Sequence, residues 1–129
     1  MASGDAMWRA QRTELQRAID LAREISGLVF GVFIGPLPQG RESALAAHAQ
    51  MPDPEDAVLI AIDPDGRSVD IVTGTRVARL LDDRSCELAI LTFRSSAEAG
   101  DIVGGVRNAA TLLAQHARTP KVMNLDEPA

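Results

Sequence analysis

Residues 57–74 read AVLIAIDPDGRSVDIVTG, and this stretch decides the fold. An apolar run ends at Asp63, and residues 67–73 return with apolar and polar side chains in alternation. Between them stands Pro64-Asp65-Gly66, a tight-turn signature in which proline presets its own φ and glycine accepts a positive φ. The stretch therefore predicts an antiparallel hairpin whose second strand lies at the edge of its sheet or has one wetter face.

A second apolar run, LVFGVFI at residues 28–34, precedes the hairpin. It has no polar face, which is typical of a strand covered on both sides, so we expect it at the centre of a layered sheet. Helices flanking one parallel strand and a hairpin predict an α/β fold, a three-layer α/β/α sandwich around a small mixed sheet. We expect one domain over residues 1–118 and a loosely held tail at 119–129.

Apolar side chains at three- and four-residue spacing predict the helices. The first ends at Ser26, where Gly27 would adopt the left-handed conformation. The segment 84–95 predicts another long helix, although ELAILTF within it is equally compatible with a strand, and residues 95–101 read as a loop. The predicted helices are 8–26, 41–50, a short one at 76–81, 84–95 and 102–118.

Composition narrows the function classes. Three per cent aromatic residues and a net charge of -5 disfavour nucleic acid, which is held by clustered cations and aromatic stacking. The single cysteine, Cys86, permits no internal disulfide, and His48 and His116 stand in no zinc-binding pattern. No apolar leader and no run near the ~18 residues of a membrane span are present. We therefore expect a soluble cytoplasmic protein.

Thr73-Gly74 has two interpretations. A glycine between a strand and a helix can present main-chain N–H groups to an anion, which makes Thr73 and Gly74 a candidate anion-facing turn. The turn lacks the glycine spacing and the lysine of a phosphate loop, however. The alternative is architectural: Gly74 would be required for a positive φ at the corner.

Asp82, Asp83 and Asp101 also have two interpretations. An aspartate directly before a helix accepts hydrogen bonds from free N–H groups of the first turn, which describes Asp82-Asp83 and Asp101 equally well. The same carboxylates are candidate ligands for a hard cation, Ca²⁺ or Mg²⁺, although no Asp-x-Asp-x-Asp-Gly loop is present. No cofactor is required by the pattern.

No catalytic set assembles from the sequence. Cys86 would lie in the first turn of a helix, where the helix dipole lowers a thiol pKa, but no base stands near it in sequence. Ser95 and Ser96 lack a nucleophile elbow. A small residue packed at a helix start is the alternative role for Cys86.

Four segments together resemble a known family: AVLIAID at 57–63, VDIVTG at 69–74, LLDD at 80–83 and GDIVGG at 100–105. In this order they are similar to the TPM domain of thylakoid-lumen, photosystem-repair and acetylcholine-receptor-modulating proteins. LVFGVFIG at 28–35 and the helix around His48 look more like actinobacterial TPM-like proteins of unknown function. The resemblance covers about residues 10–118 and implies an α/β/α sandwich.

The resemblance leaves two hypotheses of function. The first is a cytoplasmic interaction or accessory domain with a protein partner and no catalysis. The second follows relatives that resemble weak acid phosphatases or calcium binders: a Ca²⁺- or Mg²⁺-dependent hydrolase with Asp82, Asp83 and Asp101 as ligands and Thr73-Gly74 facing the anion. The partner and the oligomeric state stay open.

Overall fold

The computed structural model describes residues 2–118 of the chain, with side chains from residue 9 onward. The predicted tail at 119–129 lies outside the described residues. The elements are α1 (Ala2–Ser26), β1 (Val29–Ile34), α2 (Arg41–Ala49), β2 (Ala57–Asp63), β3 (Ser68–Thr73), α3 (Asp83–Glu98) and α4 (Ile102–Arg118), with single 3-10 turns at Pro54–Asp56 and Val77–Arg79.

The three strands form one mixed sheet in the order β1-β2-β3. β1 runs parallel to β2, from the pair Val29–Ala57 onward, and β2 and β3 form the predicted antiparallel hairpin. The α/β class and the mixed sheet are therefore confirmed. The segment whose state was ambiguous, 84–95, is helical and belongs to α3.

The predicted central position of β1 is wrong, because β2 occupies the centre and β1 lies at an edge. β2 is buried from Ala57 to Ile62, whereas β1 is half-buried apart from Phe30. An apolar pattern on both sides reports that both faces of a strand are covered. It carries no information about whether a neighbouring strand covers the edge.

Helices cover both faces of the sheet unequally. On one face α1, α3 and α4 enclose the larger core, in which Phe30, Ile60 and Leu113 are fully buried. On the other face the short helix α2 packs alone, with Ala44 against a smaller apolar cluster. The smaller cluster comprises Leu37, Ala44, Leu59, Ala61 and Val72. The layers are those of an α/β/α sandwich.

Helix α4 packs between α1 and α3 and carries eight buried residues. A β-carbon at Gly105 would stand 2.9 Å from the main-chain oxygen of Phe93. Glycine therefore lets the α4 backbone approach α3 directly, which explains why the sequence retains a residue of low helix propensity inside this helix.

The turns differ from expectation at two points. Gly27 has φ 75 and ends α1 in the left-handed region as predicted. In the hairpin, however, the positive φ falls on Arg67 (φ 55) and not on Gly66. The predicted loop at 95–101 is also shorter, because α3 continues to Glu98 and its residue Ala97 packs against the core.

Gly74 stands at the corner after β3. The positive φ predicted for it is wrong, because the described glycines with a positive φ are Gly27, Gly40 and Gly100. Its requirement for glycine is steric. A β-carbon there would overlap the carbonyl oxygen of Pro54 and lie 2.5 Å from the carbonyl carbon of Glu55. The 3-10 turn before β2 occupies the space that a side chain would need.

We expect Gly74→Ala to lower the free energy of unfolding by about 1–3 kcal/mol, the usual cost of overpacking against groups that cannot move freely. Chemical denaturation monitored by circular dichroism measures the change. Gly40→Ala is the comparison for backbone strain alone: that glycine has a positive φ (59), but nothing lies within 4 Å of an added β-carbon, so any loss of stability there has no steric overlap behind it. Wild-type stability in Gly74→Ala would contradict the close approach.

Candidate functional site

The corner at Thr73 and Gly74 has its main-chain donors engaged within the protein. The Gly74 N–H donates to the Ala57 carbonyl (2.9 Å), and the Arg76 N–H donates to the Glu55 carbonyl (3.0 Å). The Arg76 guanidinium forms an ion pair with Asp56 at 2.8 Å, and this pair raises the pKa of Arg76. An anion at this turn would have to displace these contacts.

His48 lies on the inner side of α2, and its exposed fraction is 9%. Its Nε2 is 3.0 Å from the Ala57 carbonyl oxygen, which already accepts from Gly74. A carbonyl oxygen has two lone pairs and can only accept, so Nε2 must carry the proton. His48 is thereby committed to holding α2 on the start of β2.

Asp82 and Asp101 both cap helices. Asp82 Oδ1 accepts from the Ser85 N–H at 2.9 Å, and the hydrogen bonds from the backbone and side chain of Ser85 lower the pKa of Asp82. Asp101 Oδ1 accepts from the Gly104 N–H at 2.8 Å. Each carboxylate therefore satisfies a donor that the first helical turn leaves free.

The structure does not bring the three predicted metal ligands together. The His116 Nδ1 to Ser85 Oγ distance of 3.0 Å places the end of α4 beside the start of α3, so the two helices are antiparallel. The 16 residues of α3 span about 24 Å, which separates Asp101 from Asp82 and Asp83. Among the side chains described, those of residues 9–118, no three His, Cys, Asp or Glu are grouped to hold a metal ion.

The same antiparallel packing creates a contact that sequence reasoning missed. Ser85 and His116 meet although 31 residues separate them, and no local motif announces the pair. His116 is exposed. Nearby Cys86 is half-buried, and burial, followed by the charges of Asp83 and Asp82, raises its pKa. This direction is opposite to the lowering expected from the helix dipole and favours the alternative role of Cys86 as a small packed residue.

A cleft of about 440 Å³ lies where β2 ends, between the β2–β3 turn and the corner joining α3 to α4. Its floor is apolar and includes Ile62, Val69 and Phe93. Two arginines, Arg67 and Arg94, line it from opposite elements. Neither guanidinium has a hydrogen-bond or ion-pair partner among residues 9–118, whose side chains the structure describes.

Two carboxylates also border this cleft, Asp63 and Glu98. Asp63 is held by the main chain: its oxygens accept from the Leu37 N–H at 3.0 Å and the Gly66 N–H at 3.1 Å. These two hydrogen bonds lower the pKa of Asp63, and the bond from Leu37 has the larger effect. Asp63 is thus ionised at neutral pH and serves to fix the turn that carries Arg67.

A groove of about 310 Å³ follows the free edge of the sheet between α1 and β1. Leu15 and Ile19 of α1 and Val32 and Ile34 of β1 form its apolar lining, with Arg12 and Gln16 at its rim. At the start of β1 the Arg23 guanidinium donates to the Phe30 carbonyl at 2.9 and 3.2 Å. No strand within residues 2–118 pairs with this edge.

These features define an α/β sandwich domain with an open sheet edge and a separate charged cleft. The chain belongs to a family described as a domain of unknown function (DUF5130), whose profile matches residues 5–114. No helix within residues 2–118 combines the length and the apolarity that crossing a bilayer requires.

Two relatives from Mycobacterium tuberculosis are described as uncharacterized proteins. Proteins from two strains of Mycobacterium tuberculosis are 26% identical over 107 residues, which cover 81% of this chain. The chain spans 63% of the length of these curated relatives. The solution NMR structure of the N-terminal domain of the cg2496 protein from Corynebacterium glutamicum superimposes with a TM-score of 0.61 at 18% identity, covering 88% of this chain and 76% of that one. This likeness concerns the fold.

The capping geometry of Asp101 predicts a specific mutational pattern. Without added metal, Asp101→Ala should lose about 1 kcal/mol of unfolding free energy, because the Gly104 N–H loses its acceptor. Asp101→Ser should stay close to wild type, since a serine hydroxyl accepts the same bond. Denaturant titration measures both. Equal losses in the two variants that appear only when Ca²⁺ or Mg²⁺ is added would support a metal ligand instead.

The lowered pKa of Asp63 predicts how stability depends on pH. The ionised form is favoured by folding, so its contribution is complete above the ordinary value of 3.8 and disappears as the pH falls through the lower folded-state pKa. The stability difference between wild type and Asp63→Asn should therefore be largest at neutral pH and shrink in acid. Asp65→Asn controls for the loss of one charge. A difference that is constant with pH would contradict the assignment.

Proposed function

We propose that this domain is a non-catalytic interaction module that binds an extended segment of a partner protein along β1. The observation that carries the proposal is the open edge of β1, an uncharged six-residue strand, VFGVFI. Soluble proteins usually block such edges with charged side chains, proline or a covering element. An unblocked apolar edge is suited to accept another strand.

The orientation of the β1 main chain supports strand addition. N–H and C=O groups of successive residues point to alternate sides of a strand, and the Phe30 carbonyl points away from β2 toward Arg23. Val32 and Ile34 share the orientation of Phe30, so their main-chain groups also face outward. Arg23 engages one of these groups and leaves the second half of the edge available to a partner.

The groove beside that second half would receive the partner's side chains. A segment paired with β1 would direct alternate side chains toward the apolar lining between Leu15, Ile19, Val32 and Ile34. Arg12 at the rim favours an acidic residue near the end of the segment. Two copies of this chain joined through β1 would instead bring their own basic rims together, so we favour a different, acidic partner.

Three polar side chains that could take part in catalysis are already hydrogen-bonded within the fold, which supports a non-catalytic function. His48, Asp82 and Asp101 each have a structural hydrogen bond, and the described residues hold no metal-ligand group. Descent from TPM-like proteins is part of this proposal and rests on the sequence resemblance. A cytoplasmic location is also part of it and stays the expectation drawn from the hydropathy of the sequence. Metal-dependent hydrolysis through the aspartates stays a prediction, and binding of Ca²⁺ or Mg²⁺ to Asp82→Asn/Asp83→Asn and wild type by calorimetry tests it.

Val32→Lys tests the proposed edge. Lysine places a charge beside the edge and a second cation near Arg12, so partners that need β1 should be lost. The readout is affinity capture from lysate of an organism that carries the gene, with partners identified and then requantified for each variant. We expect at least tenfold lower recovery of an acidic partner with Val32→Lys.

Leu91→Lys is the matched control, because Leu91 is an exposed leucine on α3 (65%) away from the sheet edge. It makes the same change of charge at a more exposed apolar position. Because Val32 is half-buried against the core, the melting temperatures of both variants must show that each is folded before capture is compared. The partner's binding segment, made as a peptide, should slow hydrogen exchange at the Val32 and Ile34 amides. Equal capture by both variants, or unchanged exchange at these amides, would contradict strand addition.

A further inference from the structure

The cleft at the end of β2 is independent of the β1 edge and is built differently. We infer that it binds a small monocarboxylate with a short apolar chain, its carboxylate between Arg67 and Arg94 and its chain on the floor formed by Ile62, Val69 and Phe93. The volume of about 440 Å³ lies within the range of small-molecule sites.

The position of the cleft agrees with the topology of the sheet. β1 and β2 are parallel, and the cleft opens where β2 ends at Asp63. In open α/β sheets, ligands bind beyond the carboxyl ends of the strands, where connecting loops diverge. In this chain the β2–β3 turn and the α3–α4 corner diverge there.

The charges in the cleft select the ligand class. Arg67 and Arg94 have no partner among the described side chains of residues 9–118, and arginine presents donors that match a carboxylate. Asp63 and Glu98 at the same rim would repel a second negative charge, so a monoanion fits better than a phosphate dianion. Because Ile62, Val69 and Phe93 line the cleft with apolar side chains, a ligand that carries a short apolar chain fits it better than a fully polar one.

Arg67 supplies a second, independent observation. Its φ of 55 is uncommon for a residue with a side chain, and the turn would be less strained with glycine at this position. Arginine at this position places a long cation at the cleft rim, although a residue with a side chain strains the backbone there. Strain of this kind at one residue points to a role for its side chain.

Arg67→Gly separates binding from folding. Glycine relieves the strained φ, so the melting temperature should stay equal or rise, while octanoate binding should weaken about tenfold or more through the loss of one charge-assisted pair. Arg94→Gln should weaken binding similarly. Arg79→Gln, an exposed arginine outside the cleft, should leave affinity unchanged.

Binding of each ligand is measured by titrating it into ¹⁵N-labelled protein and following the amide shifts by NMR. Octanoate should shift the amides of Ser68, Val69 and Ala97, with much weaker binding by octan-1-ol, which lacks the charge, and by acetate, which lacks the chain. Acetyl-leucyl-leucine in its free-acid and amide forms tests whether a peptide C-terminus supplies the carboxylate. Octanol binding as tightly as octanoate, or wild-type affinity in both Arg67→Gly and Arg94→Gln, would overturn the inference.

Discussion

The carbonyl oxygen of Ala57 is the point on which the arrangement of the sandwich depends. It accepts hydrogen bonds from the Gly74 N–H and from His48 Nε2, and so joins three elements at the first residue of the central strand. The corner after β3, the start of β2 and helix α2 are fixed relative to one another by one acceptor. Because α2 alone covers its face of the sheet, this bond also holds that layer in place.

The polar groups that stabilise the fold are different from the groups proposed to bind a partner or a ligand. At Ala57 and at the starts of α3 and α4, donors and acceptors are paired, and the buried side-chain nitrogen and oxygen atoms among residues 9–118 all have partners. The two surfaces proposed above for binding lie elsewhere, at the main-chain edge of β1 and at the arginines where β2 ends. His48, Asp82 and Asp101, by contrast, are hydrogen-bonded within the fold.

Local patterns in the sequence were sufficient for much of the fold. The hairpin over 57–73, the left-handed Gly27 and the caps at Asp82 and Asp101 depend on neighbours a few residues away. The edge position of β1 was not predictable, since periodicity reports covered faces and not strand neighbours. Gly74 was assigned to the wrong cause because its close contact, the turn at Pro54–Asp56, lies about 20 residues earlier in the chain. Arg67 and Arg94 line one cleft, and Ser85 contacts His116, only because of how α3 packs.

The role of His48 as a hydrogen-bond donor to Ala57 is the part of the structure on which the position of α2 depends. A long-range ¹H–¹⁵N correlation spectrum of the histidine side chains, recorded at pH 8, tests it most directly. We expect neutral His48 to be the Nε2–H tautomer. Its ring proton should exchange slowly with water, because the hydrogen bond to Ala57 is buried. A Nδ1–H tautomer, or a ring proton that exchanges as rapidly as that of exposed His116, would contradict it.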